Sequence, residues 1–162
     1  KKLLKKWKVP FESLNVNISA RVKEGQKMSC YWCSTQRRTE LLRYAMEHGY
    51  NKIALGHHMD DMLETLLMNA LQKGEFSTMI PSLQYENYPV KIIRPLCYIA
   101  EDRIIKYSQE EGFKQFTCTC DFQDNSTRKE AKKKLKQLTG GKVEVKERLF
   151  TALQNIKPEY LP

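Results

Sequence analysis

The feature that most constrains this chain is a short strand that runs through a polar turn into a helix. Residues 52–55 have a strand pattern, the turn at 56–61 reads Gly-His-His-Met-Asp-Asp, and apolar residues recur at helical spacing from 62 to 71. Open α/β sheets bind ligands at the carboxyl ends of their strands, and the free N–H groups at the start of the next helix suit a phosphate. The junction therefore predicts a polar ligand site in an α/β fold.

The two adjacent carboxylates of this turn, Asp60 and Asp61, suit Mg²⁺, which binds a few carboxylates together with phosphate oxygens. A competing interpretation is that both residues only cap the helix and favour its positive end. For a single Asp the two interpretations have equal weight, whereas the complete motif favours a site.

Strand and helix patterns alternate along the chain. Strand patterns lie at 14–18, 52–55 and 90–96, and helical patterns at 3–7, 35–48, 59–73 and 100–111. Residues 75–89 have no clear period and are predicted to be irregular. The alternation predicts parallel strands joined by helical crossovers, in a doubly wound sheet with helices on both faces.

A basic helical segment follows residue 125, and an amphipathic stretch runs from 143 to 156. We expect an α/β domain over residues 1–125 and a basic helical extension over residues 126–162. The 28 Lys and Arg residues against 19 Asp and Glu give a formal charge of +9, which favours nucleic acid as a partner. A merely solvated cationic face is the alternative. Because no apolar run or signal peptide suggests a membrane, we expect a soluble, cytoplasmic protein.

Five cysteines, an odd number, do not form the pattern of a secreted disulfide framework. Cys30 and Cys33 are close enough to bind one metal centre, and the nearby Arg37 and Arg38, with the helix start, favour thiolates. Reduced thiols without a metal are the alternative for this pair.

A second pair, Cys118 and Cys120, follows a predicted strand end and is expected at the same edge of the sheet. The Cys-x-Cys spacing departs from the usual zinc knuckle, and an iron–sulfur centre with three cysteine ligands fits at least as well. Cys97 is predicted to be a buried small apolar residue.

Four motifs occur in a fixed order: Cys30-x-x-Cys33 with Ser34 and Arg37-Arg38, then the segment from Ile53 to Thr65, then Ile93-Arg94-Pro95-Leu96, then Cys120-x-x-Gln123-x-Asn125-x-x-Arg128. Together they resemble the tRNA 2-thiocytidine synthetase (TtcA-type) branch of the PP-loop ATP pyrophosphatases. The resemblance extends from about Leu14 to Arg128.

The resemblance implies a Rossmann-like sheet of the adenine nucleotide alpha hydrolase type, truncated at its N-terminus. It implies an enzyme that adenylates a tRNA base with ATP and Mg²⁺ and replaces the base oxygen by sulfur, forming 2-thiocytidine in the anticodon loop. It also implies a [4Fe–4S] cluster on Cys30, Cys33 and Cys120, through which the sulfur passes. Cys118 is left without an assigned role.

The matching motif that faces the nucleotide and its metal consists of Gly56, His57, His58, Asp60 and Asp61, the last two being the implied catalytic pair. Arg37 and Arg38 are expected to stabilise phosphate charge or hold the tRNA backbone, or else to be solvated helix residues. The implied partners are tRNA, ATP and a sulfur donor such as a cysteine desulfurase. A homodimer stays open.

One family motif, a Ser-Gly-Gly-x-Asp-Ser phosphate loop, is expected upstream of Lys1 and does not occur in the chain. Residues 139–142, Thr-Gly-Gly-Lys, follow a helical lysine run and are predicted to be a helix C-cap instead. Without the loop the chain is expected to bind ATP weakly or not at all. The alternatives to the thiolating enzyme are a zinc-containing ATP pyrophosphatase acting on tRNA and an inert RNA-binding module.

Overall fold

The computed structural model describes residues 2–25, 28–114 and 126–160. Its helices are α1 (Lys2–Lys6), α2 (Cys30–Glu47), α3 (Met59–Lys73), α4 (Glu101–Glu110), α5 (Ser126–Thr139) and α6 (Val143–Ala152). Its strands are β1 (Lys52–Ala54), β2 (Ser82–Gln84) and β3 (Lys91–Ile93). Short 3₁₀ turns occur at Ser19–Arg21 and Pro158–Tyr160.

The strands form a sheet in the order β1-β3-β2. β1 and β3 are parallel, with Lys52 opposite Lys91, and the chain between them passes through α3. This parallel pair with its helical crossover confirms the predicted α/β class. β2 is antiparallel to β3, so the sheet is mixed. β2 falls within residues 75–89, which we expected to be irregular; a three-residue strand depends on its partner more than on a local pattern.

The strand predicted at residues 14–18 is wrong. Leu14, Val16 and Ile18 lie beside α2, where they line a cavity of about 330 Å³ with Arg37 and Leu41. Alternating apolar residues place their side chains on one side of an extended segment. A helix can cover that side as well as a sheet can. A strand also needs a backbone partner, and within the described residues none pairs with this segment.

The main buried cluster joins α3 to the two C-terminal helices. Met62, Leu63 and Leu66 of α3 pack with Leu135 of α5 and Phe150 of α6. Each such fully buried side chain contributes roughly 1.5–3 kcal/mol. The two C-terminal helices therefore complete the core around α3. The boundary drawn at residue 125 stays a prediction.

The end of α5 confirms the predicted C-cap. α5 ends at Thr139, and Gly140 and Gly141 follow with φ of 58° and 71°. These left-handed angles favour glycine after a helix, which accounts for the two adjacent glycines. Among the described helices, none has both the length and the apolar character needed to cross a membrane.

Candidate functional site

The turn between β1 and α3 is fixed by a reciprocal cap. His58 is the N-cap of α3, and its Nδ1 accepts a hydrogen bond from the Asp61 N–H at 3.4 Å. The Asp61 carboxylate accepts one from the His58 N–H at 3.0 Å. Asp61 therefore does cap the helix, as the competing interpretation required, but this contact uses only its Oδ2 atom.

Asp60 is buried, with 3% of its surface exposed, and both of its carboxylate oxygens have partners. Oδ2 accepts a hydrogen bond from the Glu101 N–H at 2.7 Å, and Oδ1 lies 2.7 Å from Nζ of Lys146. Lys146, on α6, also contacts Asp102 at 2.9 Å. Asp60 thereby ties the first turn of α3 to the start of α4 and to α6.

Lys146 is only 6% exposed, and its two carboxylate partners determine its charge state. Burial alone would lower the pKa of Lys146, but the hydrogen bonds to Asp60 and Asp102 outweigh burial and raise the pKa above its usual value. The lysine is therefore a permanent cation beneath the turn.

Arg128, near the start of α5, bridges two acidic side chains of α3. Its Nη2 contacts Oδ1 of Asp61, and its Nε lies 3.2 Å from Oε2 of Glu64. Burial raises the pKa of Glu64, and the nearby positive charge of Arg128 opposes that shift. The Arg128 side chain itself is 44% exposed, so it neutralises the acidic pair from the solvent side.

His57 lies beside Arg94, the residue that follows β3. Nε of Arg94 donates to Nδ1 of His57 at 3.3 Å. Burial lowers the pKa of His57; the charge of Asp61 opposes this, and Arg94, Arg128 and Arg38 add to it. A neutral ring whose Nδ1 accepts a hydrogen bond carries its proton on Nε2, which can donate to a ligand.

A cavity of about 340 Å³ opens over this turn. Acidic, basic and imidazole side chains line it, namely His58, Asp61, Glu64, Glu101, Arg128, Lys129 and Lys132. Carboxylates beside several cations suit an anionic ligand accompanied by a metal ion.

The two cysteines Cys30 and Cys33 occupy the first turn of α2. The helix begins five residues before the predicted position, because Oγ of Ser29 accepts the Trp32 N–H at 3.1 Å and caps it. Both thiols are half-buried and neither is in a disulfide. One helical turn separates them and places both on the same side of the helix, so the pair fits two ligands of one metal centre.

The direction of α2 places its first turn at the edge of the sheet where β1 ends. Only residues 48–51 connect α2 to β1, so the helix and the strand run in opposite directions. Arg38 confirms this direction, because its charge acts on His57 and its Nη1 lies 3.5 Å from the Tyr85 hydroxyl. Cys33 is five residues nearer the helix start, about 7.5 Å along the axis.

Not every predicted site residue joins this arrangement. Arg37 is exposed and lines the separate cavity beside Leu14. Gly56 is exposed, and a side chain added there would meet nothing within 4 Å. Cys118 and Cys120 lie outside the described residues, so the set of three cysteine ligands stays a prediction. Within the described part of the chain, no group of three or more His, Cys, Asp or Glu side chains is arranged to hold a metal ion.

The prediction for Cys97 is confirmed: its exposure is 1%, it lies in the main core cluster, and burial raises its pKa. Sequence reasoning missed the importance of Lys146. Its signal was a lysine four residues before Phe150, on the buried face of an amphipathic helix, where a charge requires a buried partner. Glu64, Arg94 and Arg128 stood in recognised motifs but had no role assigned.

The chain is similar to several known proteins. A family model described as a PP-loop domain matches residues 1–138. The tRNA-cytidine(32) 2-sulfurtransferase of Coxiella burnetii (strain RSA 493 / Nine Mile phase I) is 40% identical over 158 residues, covering 95% of this chain and 62% of that protein. The protein of the same name from Legionella pneumophila (strain Corby) is 39% identical, covering 98% of this chain and 59% of that protein. The chain thus spans only part of the length of these relatives.

A solved structure, the U34-tRNA thiolase NcsA from Methanococcus maripaludis with its [4Fe–4S] cluster, has a similar fold. The TM-score is 0.72 at 22% sequence identity, and the match covers 96% of this chain and 55% of that one. At this identity the likeness concerns the fold alone, and it confirms the predicted Rossmann-like class.

Proposed function

Because the chain belongs to the PP-loop domain family, we propose that it takes part in ATP-dependent thiolation of tRNA. Two features support this proposal: the charged cavity over the β1–α3 turn, and the thiol pair of α2, which the direction of that helix carries toward the same side of the sheet. The first can hold a nucleotide with its cation, and the second can hold a sulfur-carrying centre.

The proposed substrate is a cytidine in the anticodon loop, as the names of the relatives suggest. A cytosine carbonyl oxygen is a poor leaving group. Transfer of the adenylyl group of ATP to that oxygen releases pyrophosphate and makes the oxygen part of a good leaving group. A sulfur at the oxidation level of sulfide then bonds to the ring carbon, and AMP leaves with the original oxygen.

We assign different tasks to the two aspartates. Asp61 faces the cavity and, together with Glu64, is the proposed acidic pair for Mg²⁺. Arg128 neutralises this pair in the structure and is exposed enough to move aside. Asp60 has no free oxygen; it positions the turn by holding Glu101 and Lys146.

The remaining groups would bind and orient the phosphates. His57 is held neutral by burial and can donate from Nε2. The charge of Arg38 is close by, and Gly56 leaves open space next to the backbone. We propose no contact for Arg37 with this cavity; contact with the tRNA backbone is its remaining proposed role.

Cys30 and Cys33 are the proposed cysteine ligands on α2, with Cys120 as the third. A bound [4Fe–4S] cluster would supply an iron without a protein ligand, able to hold the incoming sulfur. A metal-bound cysteine is a thiolate, so both α2 thiols would lose their protons on binding the cluster. A cysteine desulfurase as the donor, a homodimeric assembly and a cytoplasmic location are part of the same proposal.

Anaerobic preparation of the protein encoded by the complete gene tests this function. We expect a brown protein containing iron and sulfide that incorporates sulfur into tRNA when supplied with ATP, Mg²⁺ and sulfide. C30S, C33S and C120S should each lose both the colour and the thiolation. C118S is the matched control, because it removes the neighbouring thiol and should leave both intact. A colourless protein containing zinc would instead support the zinc enzyme.

A further inference from the structure

The exposed lysines of α5 are concentrated on one side of the helix. The buried residues Ala131, Leu135 and Thr139 define its inner face. At 100° per residue, four exposed lysines fall within an arc of about 100° beside that face. They are Lys129, Lys132, Lys133 and Lys136, and we call them the lysine arc.

Two members of the lysine arc, Lys133 and Lys136, form no ion pair within the described residues. Lys132 pairs with Glu101 of α4 at 2.8 Å. Glu130, the acidic residue of α5, pairs with Lys134 at 2.8 Å, and the charge of Lys133 acts on it without a direct contact. Lys133 and Lys136 have no carboxylate oxygen within 4.0 Å in the part of the chain that the structure describes. Both side chains are exposed and can therefore contact a ligand from solvent.

The arc begins at the candidate site. Lys129 and Lys132 line the cavity over the β1–α3 turn, and Lys133 and Lys136 continue away from it. From Lys129 to Lys136 the helix rises about 10.5 Å. A chain of phosphates lying along this surface would therefore lead directly to the cavity.

We propose that the lysine arc is a docking surface for the phosphate backbone of the RNA whose base enters the cavity. This inference rests on the proposed function, which supplies tRNA as the substrate. Exposed lysines act as point charges that replace the counterions of phosphates, so they bind the backbone without reading the base sequence. If the lysines served only to keep the surface solvated, nothing would require them to lie on one side of α5 or to extend from the cavity.

The double variant K133Q/K136Q tests the surface. Its matched control, K52Q/K91Q, removes the same charge from two exposed lysines that lie opposite each other where β1 and β3 begin, away from the site. The measurement is the affinity for unmodified tRNA at several salt concentrations, with thermal unfolding as a check that each variant folds. We expect K133Q/K136Q to flatten the slope of log affinity against log salt by about 2, one for each lost phosphate contact, and the control to change it little.

The kinetic expectation is a raised KM for tRNA with a nearly unchanged kcat at saturating tRNA. If both variants weakened tRNA binding equally, the lysine arc would not be a specific surface. The same conclusion would follow if neither variant weakened tRNA binding. The proposed function fails in a different way: the unsubstituted protein binds tRNA along the arc but transfers no sulfur to it. A protein that binds no tRNA at all would overturn both.

Discussion

Lys146 and Asp60 form a buried ion pair at the base of the site, far apart in the sequence. Lys146→Met keeps the volume but leaves Asp60 charged and short of one partner. Breaking a buried pair in this way costs about 3–5 kcal/mol. We expect a loss of that size in the free energy of unfolding, measured with urea.

The double variant D60N/K146M removes both charges and should recover part of this loss. Lys106→Met, at an exposed lysine of α4, is the control and should leave stability nearly unchanged. If K146M unfolds at the same urea concentration as the control, the buried pair does not anchor the turn.

The pKa of His57 can be measured directly in the folded protein. Because burial lowers its pKa in the folded protein, the neutral ring is favoured there. The folded pKa lies below the unfolded value of 6.5. The stabilisation that the neutral His57 ring gives to the folded state is therefore complete above pH 6.5 and is lost as the pH falls through the folded pKa. An NMR titration of the ring should show a midpoint below 6.5.

The variant D61N should lower that midpoint further, because the charge of Asp61 is the one that raises the pKa of His57. A midpoint that rises in D61N, or a His57 that titrates at its ordinary value in the unsubstituted protein, would contradict the described surroundings of the ring.

Among the helices, the start of α2 depends on the Ser29 cap. Ser29→Ala leaves the Trp32 N–H without its acceptor and should cost about 1 kcal/mol. It should also loosen the turn that carries Cys30 and Cys33, which would appear as a lower iron content after anaerobic preparation. Ser34→Ala is the control, since Ser34 only donates to the Tyr31 carbonyl within the helix. Equal behaviour of the two variants would argue against the cap.

The elements that sequence reasoning placed correctly are those with strong local signals. β1 and α3 combine an apolar run, a polar turn and helical spacing, and Gly74 ends α3 with a φ of 67°. The start of α2 was missed because residues 34–40 are all polar, so no apolar period links the first turn of the helix to Leu41. β2 was missed and residues 14–18 were mistaken for a strand, because pairing depends on a partner elsewhere in the chain.

At the scale of the whole molecule, the C-terminal helices belong to the same core as α3. Leu135→Ala should therefore destabilise the entire protein, by about 2–5 kcal/mol, with a single unfolding transition. Leu138→Ala, at a side chain that is 65% exposed on the same helix, should have little effect. Two separate transitions in the Leu135 variant would show that the C-terminal helices are an independent unit.

Only the part of the site formed by residues that are neighbours in the sequence could be predicted from the sequence. The turn with His57, His58, Asp60 and Asp61 was found because these residues are neighbours in the chain. The partners that define their chemistry, Arg94, Arg128 and Lys146, come from three other elements, and only the fold brings them together. In α5 the many lysines concealed the spacing of Ala131 and Leu135, which makes the helix part of the core.

The shared contacts of Lys146 also have an evolutionary consequence. One ammonium group serves Asp60 and Asp102, so a neutral residue at position 146 would leave a buried carboxylate without its charge partner. Asp60 is that buried carboxylate, so selection should act on positions 60 and 146 as a pair. In a family tree of related sequences, we expect replacements at these two positions to appear on the same branches.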